Sequence, residues 1–149
     1  QKLKSDSTFS LNENIKIKPF LVPHRDEFSE TVGYEILINN KSLFFIPDID
    51  KWEKWGTDIR ELIKKVDYAF LDATFYKNGE LKRDMSEIPH PFVEESMELF
   101  SSLSDDHKQK VHFIHFNHTN PLLQDSSDAQ KEVSEKGFNL AEEGQIIRF

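Results

Sequence analysis

The chain has 149 residues, the size of a single domain with a sizeable buried core, and we treat residues 1–149 as one domain. Its 27 Asp and Glu outnumber 19 Lys and Arg, and the formal net charge of −8 argues against a sequence-independent surface for nucleic acids or anionic membranes. Because no Cys is present, disulfides, thiolate metal sites and thiol nucleophiles are excluded, and any metal must be bound by His, Asp, Glu or carbonyl groups.

The N-terminal third of the chain has the pattern of β-strands. The extended segment 8–22, interrupted by the polar residues Asn12–Asn14, predicts a β-hairpin. Two further apolar segments, 32–38 and 43–46, flank the turn sequence Asn39–Lys41 and predict a second hairpin.

The pattern becomes helical after Asp50. Apolar residues recur at intervals of three and four from Trp52 to Val66, which predicts one helix that covers the sheet. The short apolar segment 68–71 that follows predicts a buried strand.

The C-terminal half predicts alternating helices and strands. Pro91 favours the first turn of a helix that continues to Leu103, because the N–H that Pro lacks would have no partner there. The sequence then predicts a strand at 111–114, a helix at 129–136 and a closing strand at 145–149. The whole pattern predicts an α/β or α+β fold with a layered sheet.

Imidazole or carboxylate side chains follow four apolar segments of this pattern. Site residues collect where buried strands end, because the strands position the groups and the loops leave them accessible. If these side chains converge, they form a His/Asp metal site. The segments and the residues that follow them are 20–22 with His24, 43–46 with Asp48, 68–71 with Asp72, and 112–114 with His115.

Simpler structural explanations exist for such residues. We interpret Asp50, which precedes the predicted helix, as a helix cap, and His112 as a hydrogen-bonded core residue. For Asp48 and His115, a structural role and a ligand role both stay open. The spacing of His112, His115 and His118 is no metal motif on a strand, because alternate residues of a strand face opposite sides.

His90 lies between two prolines at the start of a predicted helix. Backbone N–H groups and the helix dipole favour negative charge at this position. A stiffly held imidazole there suits a proton donor or a contact to an anion. The alternative is an ordinary residue at a helix start.

Six segments in order resemble the C-terminal half of metallo-β-lactamase-fold proteins. Within that fold, the sequence is most similar to the coenzyme PQQ synthesis protein B group, and it is more distantly similar to ribonuclease Z. The segments are Val22–His24, Ser29–Tyr34, Phe45–Ile49, Asp67 with Asp72–Phe75, His90–Val93 with Ser96, and Phe113–Asn117 with Thr119–Pro121.

The resemblance implies half of an αβ/βα sandwich, a mixed sheet covered by helices on one face with metals in a cleft at the strand ends. In that pattern His24 matches the third metal-ligand motif, Asp48 the carboxylate that bridges two metals, and His115 the last histidine ligand. His90 is similar in place to the histidine that ribonuclease Z-like enzymes hold beside the scissile phosphate, so His90 and Asp48 are the candidate catalytic residues.

The same resemblance places Asp72 in a supporting position behind the ligands, and we add His118, which follows His115, to this supporting set. It implies that, in the intact protein, a metal activates water to attack an ester, amide or phosphodiester of a small-molecule substrate. Zn²⁺ is the expected metal, with Mn²⁺ and Fe²⁺ as alternatives. The alternative functions are a non-catalytic carrier or partner-binding module, or oxidation at a single iron.

One departure from the family pattern is large. The His-x-His-x-Asp-His cluster of the N-terminal half is absent from these 149 residues. We therefore expect this chain alone to be inactive and to bind metal weakly or not at all. We also expect an exposed apolar sheet face that pairs with the missing N-terminal half or with a second copy of the chain.

Two further expectations concern location and partners. No apolar segment approaches the roughly 18 residues that span a bilayer, and no secretory signal precedes the first strand. We expect a cytoplasmic protein with no membrane partner, and the charge argues against nucleic acid as a partner.

Overall fold

The computed structural model describes residues 4–148, and its strands form one mixed sheet in which strand order follows chain order. The first three strand pairs are antiparallel and the last three are parallel. This sheet with its helices confirms the predicted α+β class. The strands are β1 (Phe9–Ser10), β2 (Ile15–Leu21), β3 (Val32–Ile38), β4 (Lys41–Ile46), β5 (Tyr68–Asp72), β6 (Val111–Ile114) and β7 (Asn139–Leu140).

Both predicted hairpins are confirmed. β1 pairs with β2, and β3 pairs with β4 across a turn in which Asn39 has a positive φ of 53°. Asn tolerates this left-handed conformation better than most residues, which explains its place in the turn. Lys41, predicted in the turn, is already the first residue of β4.

The described helices are short. The predicted helix from Trp52 to Val66 is wrong as one element, because the chain forms a 3₁₀ turn, opens at 55–58 and starts again at α1. Asp58 ends the break: its side chain accepts the Arg60 N–H and caps the new helix. The helices are α1 (Ile59–Lys65), α2 (Val93–Leu99), α3 (Asp105–Lys108) and α4 (Asp128–Glu135), with 3₁₀ turns at Trp52–Lys54, Phe100–Ser102 and Pro121–Leu123.

The ends of two predicted elements need correction. α2 begins at Val93 rather than at Pro91, and the Glu95 side chain accepts the Phe92 N–H at 2.8 Å just before it. The predicted closing strand at 145–149 is absent from its described part, 145–148, which follows a turn at 142–145 and in which Ile146 is 77% exposed. Residue 149 lies outside the described residues. No helix within 4–148 has the length and apolar character needed to cross a membrane.

The helices pack on one face of the sheet. Ile46, Leu71 and Phe113 lie side by side on β4, β5 and β6, and each is fully buried in a core shared with Ile63 of α1 and Met97 of α2. The side chains that alternate with them point to the opposite face. There the register aligns a second row, which crosses β2 to β6 and consists of Pro19, Tyr34, Phe45, Phe70 and His112.

The same topology brings the ends of several strands to one edge. β4, β5 and β6 run parallel, and β2 has the same direction because two antiparallel pairings separate it from β4. The residues that follow β2, β4, β5 and β6 therefore start from a common edge of the sheet.

Candidate metal centre

Five predicted side chains meet at this edge. The His24 Nε2 and the His90 Nδ1 lie 3.3 Å and 3.4 Å from the Asp48 Oδ1. The same His90 nitrogen is 2.8 Å from the Asp72 Oδ2, and the His115 Nδ1 is 3.7 Å from the other Asp72 oxygen. Imidazoles and carboxylates that are far apart in the sequence thus form one cluster.

Asp72 is the buried centre of the hydrogen bonding. It has no solvent exposure, and its carboxylate accepts the N–H groups of Ile49 and Thr74 at 3.2 Å and 2.8 Å. Burial acts to raise the pKa of Asp72, but the nearby His115 ring, the hydrogen bonds from His90 and Thr74 and the charge of His90 outweigh it and lower the pKa. Asp72 is therefore held as a carboxylate, with both oxygens already in use.

The Thr74 hydroxyl determines which ring nitrogens carry protons. It lies 2.6 Å from the Asp72 Oδ1, which can only accept, so its one proton goes there. The Nδ1 atoms of His90 and His115, at 3.2 Å and 3.1 Å from the same hydroxyl oxygen, must then act as donors. Both neutral rings consequently keep an unprotonated Nε2, the form in which histidine binds a metal.

His115 reaches the cluster through an unusual backbone conformation. Its φ of 65° is left-handed, although it follows directly after β6. The turn places its ring near Thr74 and Asp72 and leaves the side chain 46% exposed. The proximity of Asp72 raises the pKa of His115 against the lowering effect of partial burial.

Asp50 orients the ring of His24. Its Nδ1 lies 3.1 Å from the Asp50 Oδ1, and its Nε2 faces Asp48. The 3₁₀ turn after Asp50 has Lys51 as its N-cap and no side-chain cap, so the prediction that Asp50 caps a helix is wrong. A carboxylate behind a histidine fixes the ring and its tautomer, a common arrangement around metals.

Asp48 has a free acceptor. Its Oδ1 is buried, and within residues 4–148 it accepts no hydrogen bond, although two imidazole nitrogens are near. A buried carboxylate oxygen without a donor is costly unless a cation satisfies it. The geometry thus fits a metal ion at this position.

Three possible ligand atoms, one each from Asp48, Asp72 and His90, lie within 4.8 Å of one another and could hold a metal ion. Asp72 and the His90 Nδ1 already bond to each other, so this set would have to break that hydrogen bond. Asp48 and the Nε2 atoms of the histidines have no such competing hydrogen bond. Nitrogen and oxygen ligands of this kind suit Zn²⁺, Mn²⁺ or Fe²⁺.

Three histidines lie outside the cluster, and His112 and His118 are the two that follow or precede His115 closely in the sequence. His112 is 8% exposed, its Nδ1 lies 3.1 Å from the Lys110 carbonyl, and burial lowers its pKa, in line with the predicted core role. His118 is exposed in the turn after β6, and no hydrogen bond or ion pair within the described chain joins it to the cluster. Thr74 and Asp50 are the residues whose positioning roles the sequence reasoning missed.

The cluster borders open space. His24, Thr74 and His90 line a cavity of about 410 Å³. This volume is within the range of small-molecule sites. A ligand in the cavity would contact the exposed side of the candidate metal centre.

The chain is similar to known proteins of one kind. Coenzyme PQQ synthesis protein B of Methylococcus capsulatus is 26% identical over 154 residues, covering 95% of this chain and 48% of the relative. The same protein of Gluconobacter oxydans is 26% identical over 125 residues, covering 80% of this chain and 40% of the relative. The chain thus spans about half the length of the curated relatives it matches.

A solved structure has the same fold. The zinc-bound PqqB of Methylobacterium extorquens superposes with a TM-score of 0.73 at 21% identity, covering 95% of this chain and 49% of that chain. The resemblance that the six sequence segments indicated is confirmed by these similarities and by a family match to the beta-lactamase superfamily domain over residues 1–116. Because that match extends over more than half of its residues, the chain belongs to the beta-lactamase superfamily.

Proposed function

We propose that this chain supplies one side of the metal site of a metal-dependent hydrolase. The observation that carries the proposal is the buried Asp48 Oδ1, which has no hydrogen-bond donor within the described chain and lies beside two imidazoles. In this proposal His24, Asp48 and His115 would hold the metal, with Asp48 as the carboxylate that the family pattern places between two metal positions, and Asp72 would hold His90 and His115 in place. The zinc in the related PqqB structure supports Zn²⁺ as the metal.

The reaction we propose is hydrolysis of an ester, amide or phosphodiester. When bound, the metal polarises the scissile group and makes water a nucleophile at neutral pH. His90 is the candidate proton donor to the leaving group: its Nδ1 is held by Asp72 at 2.8 Å, and its ring lines the cavity. The carboxylate behind the ring stabilises the protonated imidazole and fixes its orientation.

We propose that the intact site also needs a second structural layer. The chain spans about half the length of the curated relatives it matches, and the His-x-His-x-Asp-His cluster of the family pattern is absent from these 149 residues. The apolar row on the sheet face opposite the helices includes Phe45, which is 37% exposed. A second sheet, from an N-terminal half or from a second copy, would cover this row and bring further ligands.

Metal titration tests the proposal. Zn²⁺, Mn²⁺ and Fe²⁺ are titrated by calorimetry into this chain and into the complete gene product. We expect saturable binding, weaker in the chain alone, that Asp48→Asn and His24→Ala reduce at least about tenfold, since each removes a ligand. Asp125→Asn, which changes an exposed carboxylate outside the cluster, is the matched control and should bind like the wild type.

Two results would overturn the proposal. One is the absence of saturable binding in both proteins. The other is binding that Asp48→Asn and Asp125→Asn leave equally intact. If the complete protein retains iron and consumes oxygen, the metal site stands but hydrolysis is replaced by oxidation.

A further inference from the structure

Two arginines line the cavity beside the candidate metal centre. Arg25 directly follows His24, and Arg83 lies on the long loop between β5 and α2. Both line the same cavity of about 410 Å³ as His24 and His90. The sequence holds only four arginines, so half of them border this one cavity.

Neither guanidinium has a direct partner among the described residues. Within residues 4–148, Arg25 and Arg83 form no ion pair and no hydrogen bond, although Asp84 and Glu87 also line the cavity. The Asp84 Oδ1 accepts the Ser86 N–H at 2.9 Å. Arg60, by contrast, forms an ion pair with Asp58 at 2.8 Å.

The backbone that carries each arginine is held in place. Arg83 lies two residues before Met85, which is 1% exposed and packs with Ile88, Phe75 and Phe92 in a small separate core. Arg25 adjoins His24, whose ring is fixed by Asp50 at 3.1 Å. Anchored backbone at both positions lowers the entropic cost of holding a ligand between the two side chains.

The net negative charge of the chain bears on which ligands Arg25 and Arg83 can bind. A protein with a net charge of −8 repels anions in general, so an anionic ligand needs specific hydrogen-bond donors at its site. Guanidinium groups supply paired N–H donors that match carboxylate and phosphate oxygens. Arg25 and Arg83 offer such donors in the cavity beside the candidate metal centre, where Asp84 and Glu87 balance their formal charge.

We infer that Arg25 and Arg83 bind an anionic group of the substrate, a carboxylate or a phosphate, and so fix its position relative to the metal centre. The catalytic role of this anion site rests on the proposed function. The anion site itself rests only on the cavity and the two arginines. The substrate class is accordingly an anionic small molecule.

Anion binding by the metal-free chain tests the inference. Inorganic phosphate and succinate are titrated separately and followed by NMR chemical shifts, so that the two probes distinguish phosphate from carboxylate recognition. We expect Arg25→Gln and Arg83→Gln to weaken binding of the preferred probe by about tenfold each, the effect of losing charged hydrogen bonds. Arg148→Gln is the matched control, because it removes the same charge from an exposed arginine outside the cavity.

Zn²⁺ titration of the same variants separates this inference from the proposed function. Arg25→Gln and Arg83→Gln should bind Zn²⁺ like the wild type, whereas Asp48→Asn should lose Zn²⁺ and keep anion binding. If the cavity variants bind both probes as well as Arg148→Gln does, the anion site is refuted, whatever happens to Zn²⁺. If Zn²⁺ binding is absent while anion binding still depends on Arg25 and Arg83, the metal proposal fails and the anion site stands.

Discussion

At the scale of single residues, His115 shows how the cluster depends on backbone conformation. A non-glycine residue with φ of 65° adopts a conformation that costs about 1 kcal/mol or more, because its Cβ approaches the neighbouring carbonyl. Continuing β6 in extended form would carry the ring away from its present position beside Thr74. The left-handed turn instead places the ring 3.1 Å from the Thr74 hydroxyl. Local strain is therefore the cost of bringing this imidazole to the site.

A pair of variants isolates that strain. His115→Gly and His115→Ala both remove the ring, but only glycine adopts positive φ without a steric cost. We expect the glycine variant to unfold with a free energy about 1 kcal/mol higher than that of the alanine variant, the reverse of the usual order. Chemical denaturation followed by circular dichroism measures both. An alanine variant as stable as the glycine variant would show that the backbone at 115 is unstrained.

The sequence predicts the residues of the cluster better than it predicts the residues that orient their side chains. Asp48 and His115 follow strands and Asp72 ends one, and parallel strands in one sheet end at one edge, so their convergence could be predicted. Thr74 and Asp50 act through particular ring nitrogens. Their partners depend on loop paths and rotamers that no periodicity encodes. The pattern therefore predicts which residues gather but not how they bond to one another.

At the scale of elements, Asp67, which directly precedes β5, forms hydrogen bonds with the start of β4. Its carboxylate accepts the Ser42 N–H at 2.9 Å and the Lys41 ammonium at 2.8 Å. Its own N–H donates to the Ser42 carbonyl at 3.0 Å. The hydrogen bond from Lys41 and the one from the Ser42 backbone lower the pKa of Asp67 against the effect of burial. This contact sets the register at the change from antiparallel to parallel pairing.

The pKa of Asp67 gives a pH-dependent prediction. Since its pKa in the folded chain lies below the ordinary 3.8, the unfolded chain takes up the proton first as pH falls. The contribution of Asp67 to stability is thus complete well above pH 3.8 and is lost as pH falls through the lowered value. We expect Asp67→Asn to reduce the free energy of unfolding by about 1 kcal/mol at pH 7, since the pair is partly solvent-screened.

Denaturation at several pH values tests this expectation. The difference between wild type and Asp67→Asn should shrink below pH 3.8, while Asp125→Asn should match the wild type throughout. A difference that stays constant down to acid pH would contradict the role assigned to the Asp67 carboxylate.

The elements themselves were predictable to different degrees. Both hairpins follow from alternation and turn residues, which act over a few neighbouring positions. The helix between Trp52 and Val66 was predicted as one piece because the apolar spacing continues through the break. That spacing reflects which side chains are buried on one side. It does not show whether the backbone hydrogen bonds of a helix continue through the segment. The Asp58 cap, rather than the apolar pattern, determines where α1 begins.

At the scale of the whole molecule, the two faces of the sheet differ. One face is buried under α1, α2 and α4, whereas the other carries an apolar row without a helix over it in the described chain. Leu21 and Phe45, on this open face, are 45% and 37% exposed. Apolar side chains aligned across neighbouring strands make a continuous patch of the kind that marks an interaction surface.

The open face predicts association of the isolated chain. In sedimentation velocity experiments over rising concentration, we expect the wild type to associate and Phe45→Glu to weaken the association at least about tenfold, because a charge at the centre of the patch loses its hydration on contact. Leu123→Glu is the matched control: Leu123 is 53% exposed elsewhere, and the change adds the same charge to an already acidic chain. A wild type that stays monomeric at every concentration, or equal effects of the two substitutions, would show that this face does not drive assembly. Weakened association in Phe45→Glu alone would locate the contact on the sheet rather than at the surface around Leu123.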